Sequence, residues 1–231
     1  MKIIKNEKLI RRNGKIGQWT SLGALPVLGI GMFISLRRPE LFIWAVAALL
    51  TGFILTQAGM YYGNRWGRSP RPDEKLDAGL KGLPGEFTFF HYATPASHLL
   101  VGPAGVWVLM PYHQRGKILF QKNRWQVKGG GFLQGYMRIF GQESLGRPDV
   151  ETRTEIETLS RAWAKEIDPG QMPAIRGALV FTADDVQIEA QDSPLPAMPL
   201  RKLKDFIRQQ AREQPLGPLA LQQLKAVLPE E

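Results

Sequence analysis

Two uncharged apolar runs near the amino terminus, residues 17–36 and 41–62, constrain this chain more than any other feature. Only Arg37-Arg38-Pro39-Glu40 separates them, and they are 20 and 22 residues long. A helix rises about 1.5 Å per residue, so either run spans the roughly 30 Å hydrocarbon core of a bilayer. Backbone groups inside lipid must satisfy one another, which makes two such runs in tandem read as a transmembrane helical hairpin. Gly31 with Ser35, and Ala48 with Gly52, have the small-xxx-small spacing that lets helices approach closely. Pro26 is expected to kink the first helix. Neither run carries an ionisable Asp, Glu, Lys, Arg or His, which argues against a pump or channel built from one copy. Oligomerisation through the hairpin is the route by which that would change.

The formal net charge of +9 invites a nucleic-acid reading until the charge is located. Residues 1–72 hold 11 Lys/Arg against Glu7 and Glu40, whereas residues 73–231 hold 19 of each sign. The excess belongs to the apolar segment and its flanks, so nucleic acid as a partner of the remainder is unsupported by charge. Lys2, Lys5, Lys8, Arg11, Arg12 and Lys15 precede the first run, and Arg65, Arg68 and Arg71 follow the second. The loop between offers only Arg37 and Arg38, so both termini are expected on the cytoplasmic side of the cell membrane. A cleaved signal peptide fits less well, because the apolar region exceeds the usual 7–15 residues and Arg37-Arg38 interrupts it. There is no cysteine, which excludes disulfides and thiolate metal sites.

This divides the chain into a basic amino-terminal segment (1–16, helical or disordered), the hairpin (17–62), a Gly/Pro/Arg linker (63–74) and a soluble domain (75–231). In the domain a short helix is predicted near 73–81 and strands over 87–92, 98–101, 106–110, 118–121 and 125–127. A helix follows over 149–167, with Ile156, Leu159, Trp163 and Ile167 on one stripe. Strands at 178–182 and 186–190 and helices at 200–213 and 219–228 close the pattern. Strands, helix, strands, helices in this order indicate an α/β (α+β) domain with a mixed sheet.

Residues 95–125 read PASHLLVGPAGVWVLMPYHQRGKILFQKNRW. The histidine before an apolar strand, the Gly102-Pro103-Ala104-Gly105 turn, the strand 106–109, Gly116 with Lys117-Ile118, and Trp125 resemble the core of the nuclease-related domain (NERD) family. The resemblance implies a restriction-endonuclease-like fold, and a membrane hairpin ahead of such a domain also occurs in that family. Family members place an Asp, a Glu and a Lys where this chain has Ser97, Met110 and Tyr112. Carboxylates there hold a divalent metal that activates water, and a hydroxyl, a thioether and a phenol do not. The family's Asn-Pro-x-x-Gln pattern is likewise altered, to Arg147-Pro148-Asp149-Val150-Glu151. The resemblance therefore implies a domain without catalytic residues, metal or other cofactor, which acts as a binding or scaffolding module for an unidentified protein. Its alternative is a membrane-tethered, metal-dependent nuclease with a rearranged site, for which Glu86, Glu143 and Asp149 are the acids in the neighbourhood.

Arg115, Lys117, Lys122 and Arg124, with Lys128 beyond and Phe120 and Trp125 interleaved, are candidate phosphate or ligand contacts. Charges that keep exposed strands from edge pairing explain the same run. His91, His98 and His113 lack neighbouring acids in the sequence and read as structural histidines. Ser97 and His98 are no hydrolase pair, since adjacent strand residues face opposite ways. The glycines at 129–131 lack a following Lys-Ser/Thr and form no nucleotide loop. The basic residues of 200–213 surround an apolar stripe that packs on a sheet or lies on an anionic leaflet.

Overall fold

The computed structural model describes residues 1–128, 145–167, 170 and 172–229. The chain forms two compact units, Asn6–Arg71 on the one hand and Met1–Lys5 with Pro72–Glu231 on the other.

The first unit is a pair of long apolar helices, α1 (Glu7–Arg37) and α2 (Phe42–Tyr62), joined by a 3₁₀ turn at Pro39–Leu41 and followed by a π turn at Gly63–Gly67. Asn6 caps α1 by accepting the Leu9 N–H at 3.0 Å on its side-chain oxygen, and Glu7 and Arg37 complement the helix dipole at its two ends. Helix α1 runs on through Pro26. Apart from Asn13, the buried positions recur every seven residues: Ile10, Gly17, Ala24 and Gly31 on α1, then Ala45, Gly52, Gly59 and Trp66 on the returning chain. A period of seven keeps one seam facing its partner along the whole length of two helices. The seam consists largely of glycine and alanine because the backbones almost touch. A Cβ added at Gly17 would lie 2.7 Å from the Gly63 nitrogen, and one at Gly59 would lie 2.9 Å from the Ser21 nitrogen. Gly31 and Gly52 belong to this seam, packing on Leu49 and Leu28 respectively, whereas Ser35 is exposed. The threonine hydroxyls stay within their own helices: Thr20 donates to the Ile16 carbonyl at 2.7 Å, Thr51 to Ala47 at 2.8 Å and Thr56 to Gly52 at 2.8 Å. Large apolar side chains point outward, with Trp19 at 72% and Ile43 at 80% exposure.

The second unit has a mixed α/β architecture. In chain order it contains β1 (Lys2–Lys5), α3 (Pro72–Leu80), β2 (Thr88–His91), β3 (His98–Gly102), β4 (Gly105–Tyr112), β5 (Lys117–Gln121), β6 (Arg124–Lys128), α4 (Pro148–Trp163), β7 (Ile175–Phe181), β8 (Gln187–Glu189), β9 (Ala197–Pro199), α5 (Leu200–Glu213) and α6 (Pro218–Val227). The main sheet has the order β1-β2-β3-β4-β7-β9. Strands β2, β3 and β4 are mutually antiparallel, while β1 runs parallel to β2, and β7 parallel to both β4 and β9. A second sheet, β6-β5-β8, turns on Lys122 and Asn123 at φ 50° and 59°, as a two-residue hairpin of the right twist requires.

Alternation along β2, β3 and β4 sorts the core into two faces. Phe89, Leu100, Trp107 and Leu109 pack with Leu76 and Leu80 of α3 and Leu203 and Ile207 of α5. Phe90, Leu99, Val101, Val106 and Val108 pack with Leu159 and Trp163 of α4 and Leu224 of α6. Tyr112, Ile118, Trp125 and Phe181 form a third cluster beneath the smaller sheet. The buried stripe of α5 thus lies on the sheet, and Lys204 and Arg208 donate to the Lys81 and Gly82 carbonyls past the end of α3.

Residues 1–16 differ from expectation. Lys2–Lys5 is a strand in the main sheet and α1 starts at Glu7, because Ile3-Ile4 is a β-branched pair that finds an open edge beside β2. Strand β9 is also unanticipated, α4 stops at Trp163 rather than 167, and the linker expected at 63–74 contains the π turn and the first residues of α3.

The seam can be tested by overpacking it. Gly17→Val should destabilise the helix pair by about 1–3 kcal/mol, read as a lower denaturation midpoint of the full chain in detergent. Gly23→Val, at a site where an added Cβ meets nothing within 4 Å, should leave that midpoint nearly unchanged.

Candidate functional site

The register of β3 on β4 pairs Leu99 with Val108, so its continuation brings Ser97 opposite Met110, with Tyr112 two residues further on the same face. The three positions expected to mark a metal site are therefore neighbours at one end of the sheet. Helix α4 lies over them and contributes Glu151 and Glu155, four residues apart and hence on one side of the helix. The Ser97 backbone N–H donates to Glu155 Oε2 at 2.9 Å, and its hydroxyl donates to Oε1 at 2.7 Å. The buried Tyr112 hydroxyl donates to Glu151 Oε2 at 2.8 Å. Met110 lies between, half-buried in the apolar clusters on either side. Each carboxylate thus receives hydrogen bonds from neutral donors where nuclease chemistry would have it face a cation.

The acids opposite these strand positions are not evident from the sequence: Glu151 stands out only as an altered pattern residue, and Glu155 not at all. The available signal was their spacing of four beside the apolar stripe of α4. Glu86 is exposed ahead of β2, Asp149 is half-buried in the first turn of α4, and Glu143 and the glycines at 129–131 lie outside the described residues. Among the described residues no group of three or more His, Asp or Glu side chains could hold a metal ion.

The candidate phosphate contacts do not converge. Lys117, on β5, is ion-paired to Glu189 of β8 at 2.8 Å. Lys122 occupies the β5–β6 turn, Arg124 begins β6, and Arg115 is exposed in the loop before β5. Lys117 is paired in register with Lys128, while Arg124 stands opposite Gln121 at the other end of the ladder.

A second polar constellation occupies the other face. His98 points away from Ser97, as alternation requires, and meets His91 with an Nδ1–Nδ1 separation of 2.8 Å. His91 Nε2 is 2.8 Å from Asp77 Oδ1. The other oxygen of Asp77 is 2.6 Å from Lys5 Nζ, which also binds Asp73 Oδ2 at 3.0 Å. His91, His98 and Asp73 are buried, and the Lys5 side chain is 19% exposed. Burial pulls the Lys5 pKa down, but hydrogen bonds to Asp77 and Asp73, together with their charges, outweigh it and raise it above the ordinary 10.5. The third histidine, His113, is exposed beyond β4.

No family model, curated protein or solved structure matches the chain.

The Lys5 clamp makes a prediction. Lys5→Met leaves two carboxylates without their cation, Asp73 fully buried, and should cost about 2–3 kcal/mol once the part of Lys5 that stays in water is allowed for. Because the folded-state pKa is raised, the stabilisation is fully present below the ordinary 10.5 and is lost as pH rises through the folded value above it. Chemical denaturation of both forms at neutral and strongly alkaline pH should show the gap between them closing.

Proposed function

We propose that this chain is an integral membrane protein whose soluble domain is nuclease-related in fold, lacks nuclease activity and serves as a binding or scaffolding module. The observation that carries the loss of activity is the Ser97/Met110/Tyr112 cluster. A hydroxyl and a phenol are spent on Glu155 and Glu151, a thioether separates them, and no lysine stands among them. Water activation by a divalent ion needs charged oxygen ligands open to the metal, and these two carboxylates already accept hydrogen bonds. The order of elements, with the Gly102–Gly105 turn between β3 and β4, is what the resemblance to the nuclease-related domain family leads one to expect.

Support for membrane insertion comes from the helix pair. Only 11% of the residues in the apolar window of each long helix are buried within the protein, whereas a core helix of a soluble protein hides its apolar face. The chain leaves the soluble unit after Lys5 and rejoins it at Pro72. Two crossings return it to the side it left, and the nine basic flanking residues favour the cytoplasm for that side. In this reading the protein is multi-pass in the cell membrane with both termini cytoplasmic.

A rearranged metal-dependent nuclease is the second reading, and one observation favours it: Glu151 and Glu155 present two carboxylates from adjacent turns of α4 to the strand positions the resemblance marks. One assay separates the two. The full chain in detergent, with Mg²⁺ or Mn²⁺, should cleave neither DNA nor RNA above the level of a Glu151→Gln/Glu155→Gln double variant. Cleavage that the double variant abolishes would establish the nuclease. Membrane insertion has its own check, since the chain should remain in the pellet when membranes are washed with alkaline carbonate.

A further inference from the structure

One face of α1 changes its chemistry along the helix. Lys8, Arg11, Arg12, Lys15 and Trp19 recur at steps of three and four residues, which stacks them on one side, and Leu22, Pro26 and Phe33 continue the same stripe. All are exposed, because the seam of Ile10, Gly17 and Ala24 lies on the opposite side. Lys8 stands in the first turn, where the helix dipole disfavours a cation and Glu7 is the only acid. Glu7 reaches Arg11 loosely, at 4.0 Å between exposed side chains. Lys8, Arg12 and Lys15 have neither an ion pair nor a side-chain hydrogen bond among the described residues. At the other end of the hairpin, by contrast, Arg38 is paired with Glu40 at 3.4 Å.

Helix rise sets the depth of these groups. A tryptophan exposed between a basic row and an apolar stripe sits where headgroups meet hydrocarbon. Lys15 stands about 6 Å beyond Trp19 along the axis, and Arg12 and Arg11 about 10–12 Å beyond it. The headgroup layer of one leaflet is about 5–7 Å deep, and the long stems of lysine and arginine carry their charge along the helix into it. Lys15, Arg12 and the loosely held Arg11 thus face the layer in which phospholipids carry phosphate. Arginine offers phosphate oxygens two parallel donors, and lysine offers a point charge. The choline of a zwitterionic headgroup offsets its own phosphate, whereas an anionic headgroup leaves that charge to the cations of the row.

We propose that this face of α1 is a binding surface for anionic phospholipid, with Arg11, Arg12 and Lys15 on the headgroup phosphate and Trp19 and the apolar stripe against the acyl chains. It rests on the membrane insertion proposed above and deepens it. The test uses the full chain reconstituted in phosphatidylcholine bilayers with a trace of spin-labelled phosphatidylglycerol or spin-labelled phosphatidylcholine, and compares how much of each the protein immobilises. At about 20 mM salt phosphatidylglycerol should associate at least about twofold more strongly, and the preference should vanish at about 1 M salt, where the screening length is about 3 Å. Arg11→Gln/Arg12→Gln/Lys15→Gln should abolish the preference at low salt. Arg201→Gln/Lys202→Gln/Arg212→Gln, which removes as many exposed cations from α5, should keep it. Equal immobilisation of both lipids by the natural chain overturns the surface and leaves insertion standing, whereas immobilisation of neither overturns both. An equal loss in the two triple variants assigns the preference to net charge and also overturns the surface. Inorganic phosphate at matched ionic strength should leave the preference unchanged, and a fall would make free phosphate the ligand in place of lipid. Should the α1 triple variant immobilise neither lipid, Arg12→Gln and Lys15→Gln decide singly: each should lower the preference, and no change in either overturns the surface.

Discussion

The pairing of β1 with β2 is the constraint on which the rest of the structure depends. Parallel neighbours cannot be joined by a tight turn and need a crossover connection, usually a single helix packed on the sheet. Here residues 6–87, which include the helix pair and α3, lie between them in sequence. The second unit is therefore discontinuous in sequence, and a fragment beginning near residue 73 would not reproduce it. Such a fragment lacks the strand that covers β2 and Ile4 of the core, and removes Lys5 from buried Asp73 and half-buried Asp77. Weakening an ion pair around a buried carboxylate is destabilising. The four residues of β1 thus contribute to the domain well beyond their length, which is why activity is best measured on the whole chain.

What the sequence revealed and what it hid divide along the range of the interactions involved. The helix pair was legible because its cause is local: 20 uncharged residues have one common explanation. Strands β2 to β7 were legible because alternation and the Gly102-Pro103-Ala104-Gly105 turn are properties of neighbours along the chain. Strand β1 was not, since Ile3-Ile4 is too short for a pattern and lies in a basic segment that also explains itself as a topology signal. Its partner is more than 80 residues away. The helix seam was half legible. Gly31 and Gly52 stand out through small residues four positions away, Ser35 and Ala48, but Gly17, Gly59 and Trp66 join them only when the period is read as seven across both helices.

The two polar constellations show how one dipeptide serves two chemistries. Ser97 and His98 are adjacent, yet the pleat sends the first to Glu155 beneath α4 and the second to His91 beneath α3. Neither pairing follows from sequence distance. Serine with Glu155 spans 58 positions, and Lys5 with Asp73 spans 68. The buried polar groups on both faces sit toward one end of the sheet, where β1, β2, β4, β7 and β9 all finish and β3 begins. In mixed and parallel sheets that end is where function gathers, because loops and helix starts converge there.

At that end the balance between holding a metal and doing without one comes down to what saturates the carboxylates. Glu155 accepts two hydrogen bonds from a single residue, one from backbone and one from side chain, which fixes its plane as well as its position. A divalent ion that took both Glu155 oxygens would displace the Ser97 hydroxyl and leave the Ser97 N–H without that acceptor. An aspartate at position 97 would invert the sign of this account, because its carboxylate would repel Glu155 unless a cation lay between them. Serine at position 97 instead makes the helix acid a brace between α4 and the sheet.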